Sequence, residues 1–233
     1  MLLTIIIPVY NEKNNIEKIL NKIFSIKLIK KEIIIVDDCS TDGTREILKK
    51  NLKYKVKRVI FHKKNCGKGA AINSAKKFIS GDIVLIQDAD LEYDPNDYYK
   101  LLKPFKKKIV KCVYGSRFLP SSKCSRPKSF AFQIRIIANY FLTLLSNLLN
   151  NQNLTDAHTC YKVFRANLFA NIELEERGFE FCPEVTAKIS KKKIKIYEVP
   201  IKYVFRTYEE GKKIKFMDGL KAIKTILYYN ILR

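Results

Sequence analysis

The chain has 233 residues, 47% of them apolar, which is enough for a sizeable buried core and argues against a disordered chain. Its 45 Lys and Arg against 23 Asp and Glu give a formal charge of +22, spread along the chain and densest in "KPFKKK" and "KISKKKIK". A charge of that size is either a solvated surface or an attraction to polyanions such as nucleic acid, phosphorylated substrates or an anionic bilayer.

Taken in chain order, short β-branched runs alternate with stretches of helical periodicity: "LTIIIPV", "NIEKILNKIF", "EIIIVDD", "GTREILKKNL", "VKRVIF", "GAAINSAKKFI" and "DIVLIQD". Continuous apolar strands separated by helices predict an α/β fold with a mainly parallel central sheet covered by helices. After "YDPNDYYKLLKPF" and a further strand in "IVKCVYGS", the polar stretch 117–129, "RFLPSSKCSRPKS", reads as a mobile loop over a site. An apolar helix follows over 129–149, then a strand in "YEVPIKYVF" and a last amphipathic helix in "FMDGLKAIKTILYY". With no linker and no internal repeat, residues 1–233 read as one domain, with a first half over 1–115 and a second over 116–233.

Several classes fall away. The apolar N-terminus lacks a basic leading region and runs straight into the first strand, so it does not read as a signal peptide. No run reaches the about 18 uninterrupted apolar residues of a membrane span, and "SFAFQIRIIANYFLTLLSNLL" carries Gln133, Arg135 and Asn139. The six cysteines, Cys39, Cys66, Cys112, Cys124, Cys160 and Cys182, form no CxxC pair and no metal-type spacing, which points to reduced thiols. His62 and His158 suggest neither a triad nor a metal cluster, and His158 reads as structural. A nucleic-acid role finds no recognised motif and no single basic element. A dinucleotide-dependent dehydrogenase would need G-x-G-x-x-G after the first strand, and none is there.

Three polar clusters fall where predicted strands end: "PVYNE", "VDDCSTDGT" and "QDADLE". In an open parallel sheet ligands bind at the carboxyl ends of the strands, so these clusters predict one site. Asp88 and Asp90 are two apart and, in extended geometry, would project to one side and share a hard cation, Mg2+ or Mn2+, bridging a diphosphate. Asp94, just before Pro95, reads as helix-start chemistry. The turn "CGKGAA" is no Walker loop, and by itself is also what a helix start looks like.

"TIIIPVYNEKNNI", "IIIVDDCSTDGT", "NCGKGAAIN" and "VLIQDADLEYDP", in that order, resemble the nucleotide-sugar-binding half of inverting family 2 glycosyltransferases of the GT-A (Rossmann-like) fold. "YGSRF", "RIIANYFLT", "LTDAHTCYKVFR", "GFEFCPEV" and "EVPIKYVFRTYEEGKKIKFMDG" extend the resemblance over the whole chain to the polyprenyl-phosphate sugar transferases, the dolichyl-phosphate mannose synthases among them. The resemblance implies that Pro8, Tyr10 and Glu12 cradle the base and ribose, with Asp37 and Asp38 beside them and Lys68 near the nucleotide. It implies metal ligation by Asp88 and Asp90, and catalytic roles for Asp90, Arg117 and Asp156. Arg117, Arg135, Arg206 and Lys213 match the basic positions that receive a lipid phosphate; Arg135, inside an apolar helix, needs a phosphate or an acid such as Asp156. Glu92 stands where such enzymes often carry Gln, "HTCYK" replaces their usual Ser-Gly-aromatic sequence, and Glu184 is a further candidate in the acceptor pocket.

The implied reaction is an inverting transfer of a hexose to a polyprenyl phosphate, with GDP-mannose the favoured donor and UDP-glucose or UDP-N-acetylglucosamine the alternatives. Transfer to a soluble glycan is the other enzymatic reading, and a hydroxyl acceptor would require a base, for which Asp156 and Glu184 are the candidates. The net positive charge fits a peripheral enzyme on the cytoplasmic face of a membrane, and leaves room for a membrane partner subunit.

Overall fold

The Ile- and Val-rich runs do become strands, and their order brings the polar clusters together. The computed structural model describes residues 1–27, 29–50, 56–125, 130–206, 213 and 216–233. In its first half β1 (Leu3–Val9), β2 (Lys31–Asp37), β3 (Arg58–Phe61) and β4 (Ile83–Ile86) alternate with α1 (Ile16–Ser25), α2 (Thr44–Lys50) and α3 (Lys68–Ala75). Next come α4 (Tyr98–Leu102), β5 (Cys112–Ser116), β6 (Lys123–Ser125), α5 (Phe130–Asn150), β7 (Lys162–Arg165) and α6 (Ala166–Ala170). The chain closes with α7 (Phe181–Lys191), β8 (Ile196–Pro200), β9 (Lys202–Val204) and α8 (Phe216–Leu227).

Seven strands form one sheet in the order β3-β2-β1-β4-β7-β5-β8. β1 runs parallel to β2 and β4, with Ile5 opposite Ile33 and Leu85, and β5 runs parallel to β8. Only β7 is reversed, pairing antiparallel with β4 and β5 on either side. The expected α/β fold with a mainly parallel sheet is therefore the one found. Ile5, Ile6, Ile7, Ile34 and Ile35 are fully buried, as residues covered on both faces must be. On α1, Ile16, Ile19, Leu20 and Ile23 supply the buried stripe at helical spacing, each worth about 1.5–3 kcal/mol of apolar burial. One core cluster runs from Leu3 to Tyr203, so both halves share it.

The second half departs from the sequence reading in two places. "YEVPIKYVF" is not one strand: the chain crosses at Ile201, so that β8 ends in the main sheet and β9 pairs with β6 in a separate two-stranded sheet. Residues 123–125, expected in a loop, are thus a strand, while 126–129 lie outside the described residues. The expected helix over 129–149 is observed as α5, Phe130–Asn150. Unlike α1, it leaves an apolar stripe in solvent: Ile134, Ile137, Phe141, Leu144 and Leu148 recur at steps of three and four, with Ile137 67% and Leu148 78% exposed. α8, which packs on α5, adds exposed Phe216, Met217 and Leu220.

Candidate active site

Each of the three loops after β1, β2 and β4 contains a non-glycine residue in the left-handed region: Asn11 (φ 50°), Cys39 (φ 65°) and Leu91 (φ 63°). Such backbone is uncommon outside glycine and persists where the surroundings fix it. Here the loops after β1 and β2 are stitched together by side chains. Asn11 N donates to Ser40 Oγ, Glu12 N to Thr44 Oγ1 at 2.9 Å, and Lys13 N to Asp42 Oδ2. After β4, Gln87 is fully buried, takes hydrogen bonds from the hydroxyls of Tyr98 and Tyr161, and donates through Nε2 to the Asp88 carbonyl.

These anchors bring the acids to one place. Asp88 lies beyond the end of β4 and Asp90 in the turn that follows, so the extended geometry expected for the pair is not found. Asp88 Oδ1 is 2.6 Å from Lys68 Nζ, on the first residue of α3. Burial acts to lower the Lys68 pKa, but Asp88 outweighs it and holds the ammonium well above its ordinary value. Asp90 Oδ2 is 3.1 Å from Arg206 Nη2, whose guanidinium also reaches Glu12 at 3.4 Å. Lys213 Nζ sits 2.6 Å from Glu12 Oε1 and donates to the Tyr10 carbonyl. Three carboxylates, Glu12, Asp90 and Glu92, thus surround Arg206. The Asp90 carboxyl is accordingly pushed up to about 7, first by burial and then by Asp88 and Glu92, against the pull of Arg206.

Glu92 finds its role in this arrangement. It is buried, accepts from the Tyr203 hydroxyl and from Arg206 N, and its own carbonyl accepts from Val204 N. It therefore pins the segment after β9 and aims Arg206 at Asp90.

The two acids at the end of β2 are divided by function. Asp37, fully buried, is held by Arg45 Nε at 2.8 Å and by Ser40 N, so its carboxylate organises the loop. Asp38 accepts from Cys66 N at 2.9 Å, Gly67 N at 2.7 Å and His62 Nδ1 at 2.7 Å. Pro8 lies within β1 and Tyr10 directly after it. The turn "CGKGAA" does start α3 and does more: a Cβ on Gly67 or Gly69 would lie 2.4 or 2.2 Å from the carbonyl oxygens of Arg177 or Glu176. Glycine there lets two backbones touch.

A second cluster lies after β5. Arg117 forms a two-pronged pair with Asp156, Nε to Oδ2 at 2.6 Å and Nη2 to Oδ1 at 2.7 Å, and its backbone N donates to Oδ2. Burial would lower the Arg117 pKa, but Asp156 holds it well above the ordinary value. The Asp156 loop is held in turn by Glu198 on β8, which accepts from Thr155 N and Asp156 N. Asp156 is therefore the partner of Arg117, while Arg135 stands half-buried on α5. α5 borders this region: Asn139 Oδ1 accepts from Arg117 Nη2 at 3.4 Å, and the Phe132 ring packs 4.4 Å from that of Phe205, next to Arg206.

Two further expectations change. Glu184, on α7, accepts from the backbone N of Glu175 and Glu176, from Lys188 Nζ and from the Tyr229 hydroxyl, so it ties α7 to the C-terminal helix instead of serving the pocket. His62 is not isolated, since it touches Asp38 and, through Nε2, Ser74 Oγ at 2.9 Å. Burial lowers the His158 pKa to about 4. Asp94 Oδ1 accepts from Asn96 N at the start of the next helical turn, as its place before Pro95 implied. Lys212 lies outside the described residues. Sequence reading missed Gln87, Arg45, Glu198 and Tyr203, whose partners are 8 to 111 positions away.

The model of the family described as "Glycosyl transferase family 2" matches residues 4–172, a stretch that contains Glu12, Asp88, Asp90, Glu92, Arg117 and Asp156 but stops short of Arg206 and Lys213. The chain belongs to glycosyl transferase family 2. A Methanococcus voltae UDP-N-acetylglucosamine–dolichyl-phosphate N-acetylglucosaminyltransferase is 29% identical, over 97% of this chain and 95% of that protein. A Pyrococcus furiosus dolichol-phosphate mannosyltransferase is also 29% identical, over 91% of this chain and 59% of that longer protein. Among solved structures, mannosyl-3-phosphoglycerate synthase from Rubrobacter xylanophilus superposes with a TM-score of 0.74 at 18% identity, over 98% of this chain and 72% of that one. Glucosyl-3-phosphoglycerate synthase from Mycobacterium tuberculosis, solved with Mn2+ and UDP, gives 0.70 at 17% identity, over 98% and 80%. These two glycosyltransferase structures share the fold of this family 2 chain.

Proposed function

We propose that this family 2 glycosyltransferase moves a hexose from a nucleotide sugar to a polyprenyl phosphate, inverting the anomeric carbon, with Mg2+ or Mn2+ held by Asp88 and Asp90. The observation that carries the reading is the set of acids at the carboxyl ends of β1, β2 and β4, buried Glu12, Asp38 and Glu92 with half-buried Asp90, of which Glu12, Asp90 and Glu92 meet Arg206 and Glu12 also meets Lys213, with α5 at the border. The place of Asp90 supports the metal: its carboxyl lies in the turn after β4 near Asp88 and Glu92, burial and those acids push it up to about 7, and a hard divalent cation would favour its ionised form. Asp88 and Asp90 would hold such an ion, which would supply positive charge for the leaving nucleoside diphosphate.

The chain's own residues do the rest. Asp38, Glu12, Tyr10 and Pro8 line the strand ends where the base and ribose lie, and Lys68 stands at the diphosphate end. A phosphate oxygen of the acceptor attacks the anomeric carbon while the bond to the diphosphate breaks, and the electron pair leaves with the nucleotide. A phosphate monoester is already ionised, so no proton must be removed. A hydroxyl acceptor would need a base, and both candidates are committed, Asp156 to Arg117 and Glu184 to Lys188 and two backbone N–H groups. That favours the phosphate. Arg206, Lys213, Arg135 and Arg117 screen the repulsion between two polyanions.

The exposed stripe on α5, continued by α8, supports peripheral contact with the cytoplasmic face of an anionic membrane, where lysines near the surface add roughly 1 kcal/mol each. For the donor, GDP-mannose remains the first choice. UDP-N-acetylglucosamine is the second, because the Methanococcus voltae relative aligns nearly end to end. The test is incubation with Mn2+, a short polyprenyl phosphate and each of GDP-mannose, UDP-glucose and UDP-N-acetylglucosamine, followed by extraction of labelled glycolipid. Sugar transferred only to a soluble glycan or to 3-phosphoglycerate would overturn the lipid acceptor.

A further inference from the structure

Beside the oxygen-lined pair lies a cluster of different chemistry. Asp38, His62 and Cys66 come from the end of β2, the residue after β3 and the turn before α3, and one ligand atom from each lies within 4.8 Å of the others. Asp38 is buried, whereas His62 and Cys66 are half-buried. Carboxylate oxygen, imidazole nitrogen and thiolate sulfur are the ligand types of Zn2+, and the thiolate disfavours Mg2+ and Mn2+. Three protein ligands with a fourth position open is the arrangement of a zinc site that can take an exogenous group.

The surroundings fit ligation as well. His62 Nε2 lies 2.9 Å from Ser74 Oγ, so the ring nitrogen not used for metal has its own partner. The Asp38 carboxylate is oriented by Cys66 N and Gly67 N. In the metal-free state Asp38 Oδ1 and His62 Nδ1 share a proton at 2.7 Å. Ligands at about 2.0–2.3 Å from a tetrahedral ion stand further apart than that, so the pair has to open by less than about 1 Å.

We propose that Asp38, His62 and Cys66 bind a thiophilic divalent cation, Zn2+ above all, at a site separate from Asp88 and Asp90. Binding releases the Cys66 thiol proton to solvent. It also moves the ring proton of His62 from Nδ1 to Nε2, where Ser74 Oγ accepts it. The site tightens as pH rises, because a thiolate is required. Where Asp38 serves the nucleotide, as the function proposed above has it, an ion on its carboxylate withdraws it, so Zn2+ and nucleotide exclude one another.

The experiment uses the full chain and metal alone. Co2+ should give a near-ultraviolet thiolate charge-transfer band that saturates at one equivalent. The band should vanish in Cys66→Ser and survive in Cys39→Ser. Zn2+ affinity, read by competition with a chromophoric chelator, should fall about tenfold in Ser74→Ala, which removes only the outer partner of His62. A missing band in the wild type, a band that persists in Cys66→Ser, or one lost in Cys39→Ser overturns the site. In a second arm, stoichiometric Zn2+ should weaken binding of UDP or GDP in the wild type, and this effect should disappear in Cys66→Ser. Metal binding without any loss of nucleotide affinity would retain the site and overturn the exclusion, while the first arm stands whatever the donor proves to be.

Discussion

Of the arginines that hold carboxylates in this molecule, two do so in opposite ways. Arg117 meets Asp156 prong for prong, one cation to one anion, behind a side chain with no exposure. Arg206 meets Glu12, Asp90 and Glu92 together, and Lys213 joins it on Glu12. The first cluster is closed: its charges cancel and its geometry is satisfied. The second is open: three acids share Arg206, and one of them, Asp90, is raised to about 7, first by burial and then by Asp88 and Glu92. A pair matched one to one orients its surroundings, whereas acids crowded on one cation keep a carboxyl whose charge can still change.

That contrast can be broken by substitution. The largest effect on stability is expected at the closed pair. Arg117→Ala leaves Asp156 buried without its cation, with the backbone N of residue 117 still donating to it, and should cost about 3–5 kcal/mol in urea unfolding, most of it recovered in Arg117→Met with Asp156→Leu. Equal loss in the double variant would show that the pair does more than cancel charge. The largest effect on turnover is expected at the open cluster: Asp90→Ala should lower kcat by about 10²–10³ or more while circular dichroism stays native. Near-normal activity in that variant would remove the metal from the scheme.

Arg206→Ala should be milder in stability than Arg117→Ala, since the acids it leaves can take up a proton or a cation; a loss as large as that of Arg117→Ala would erase the distinction. The smallest effect is in pH. Between about 4 and 7 the folded protein keeps a proton on Asp90 that the unfolded chain has released, so this group makes stability fall as pH rises through that window. Melting temperatures in a chelator should show the decline, and Asp90→Asn should flatten it. Bound Mn2+ displaces the same proton, so its affinity should weaken below pH 7.

The first half was largely legible in the sequence because its signals are local. Runs such as "LTIIIPV" and "EIIIVDD" announce strands buried on both faces, and the polar residues directly after them mark the ligand end of the sheet. Less legible was whatever depends on distant pairing. Four residues of β7, "KVFR", carry too little pattern to announce a reversed strand between β4 and β5. β6 and β9 form a sheet of their own inside stretches that read as loop and as continuous strand. The spacing of Asp88 and Asp90 suggested an extended chain, but Leu91 turns left-handed and the loop is helical-turn-like. His62, Cys66 and Asp38 have no motif spacing at all; strand order alone brings them together.

The touching backbones at Gly67 and Gly69 have a consequence for how the protein is made. Gly69 N donates to the Gly178 carbonyl and Ala70 N to that of Arg177, while Lys68 reaches Cys160 and Glu12 reaches Arg206 and Lys213. A ribosome that has released the first 115 residues has therefore delivered the acids at the strand ends and the contacts that hold Asp38 and Asp88, but neither Arg206 nor Lys213. Those two cations arrive only with the last third of the chain, and until then Glu12, Asp90 and Glu92 are without them. A fragment cut after residue 115 should make a poor nucleotide-binding module, however complete its motifs look.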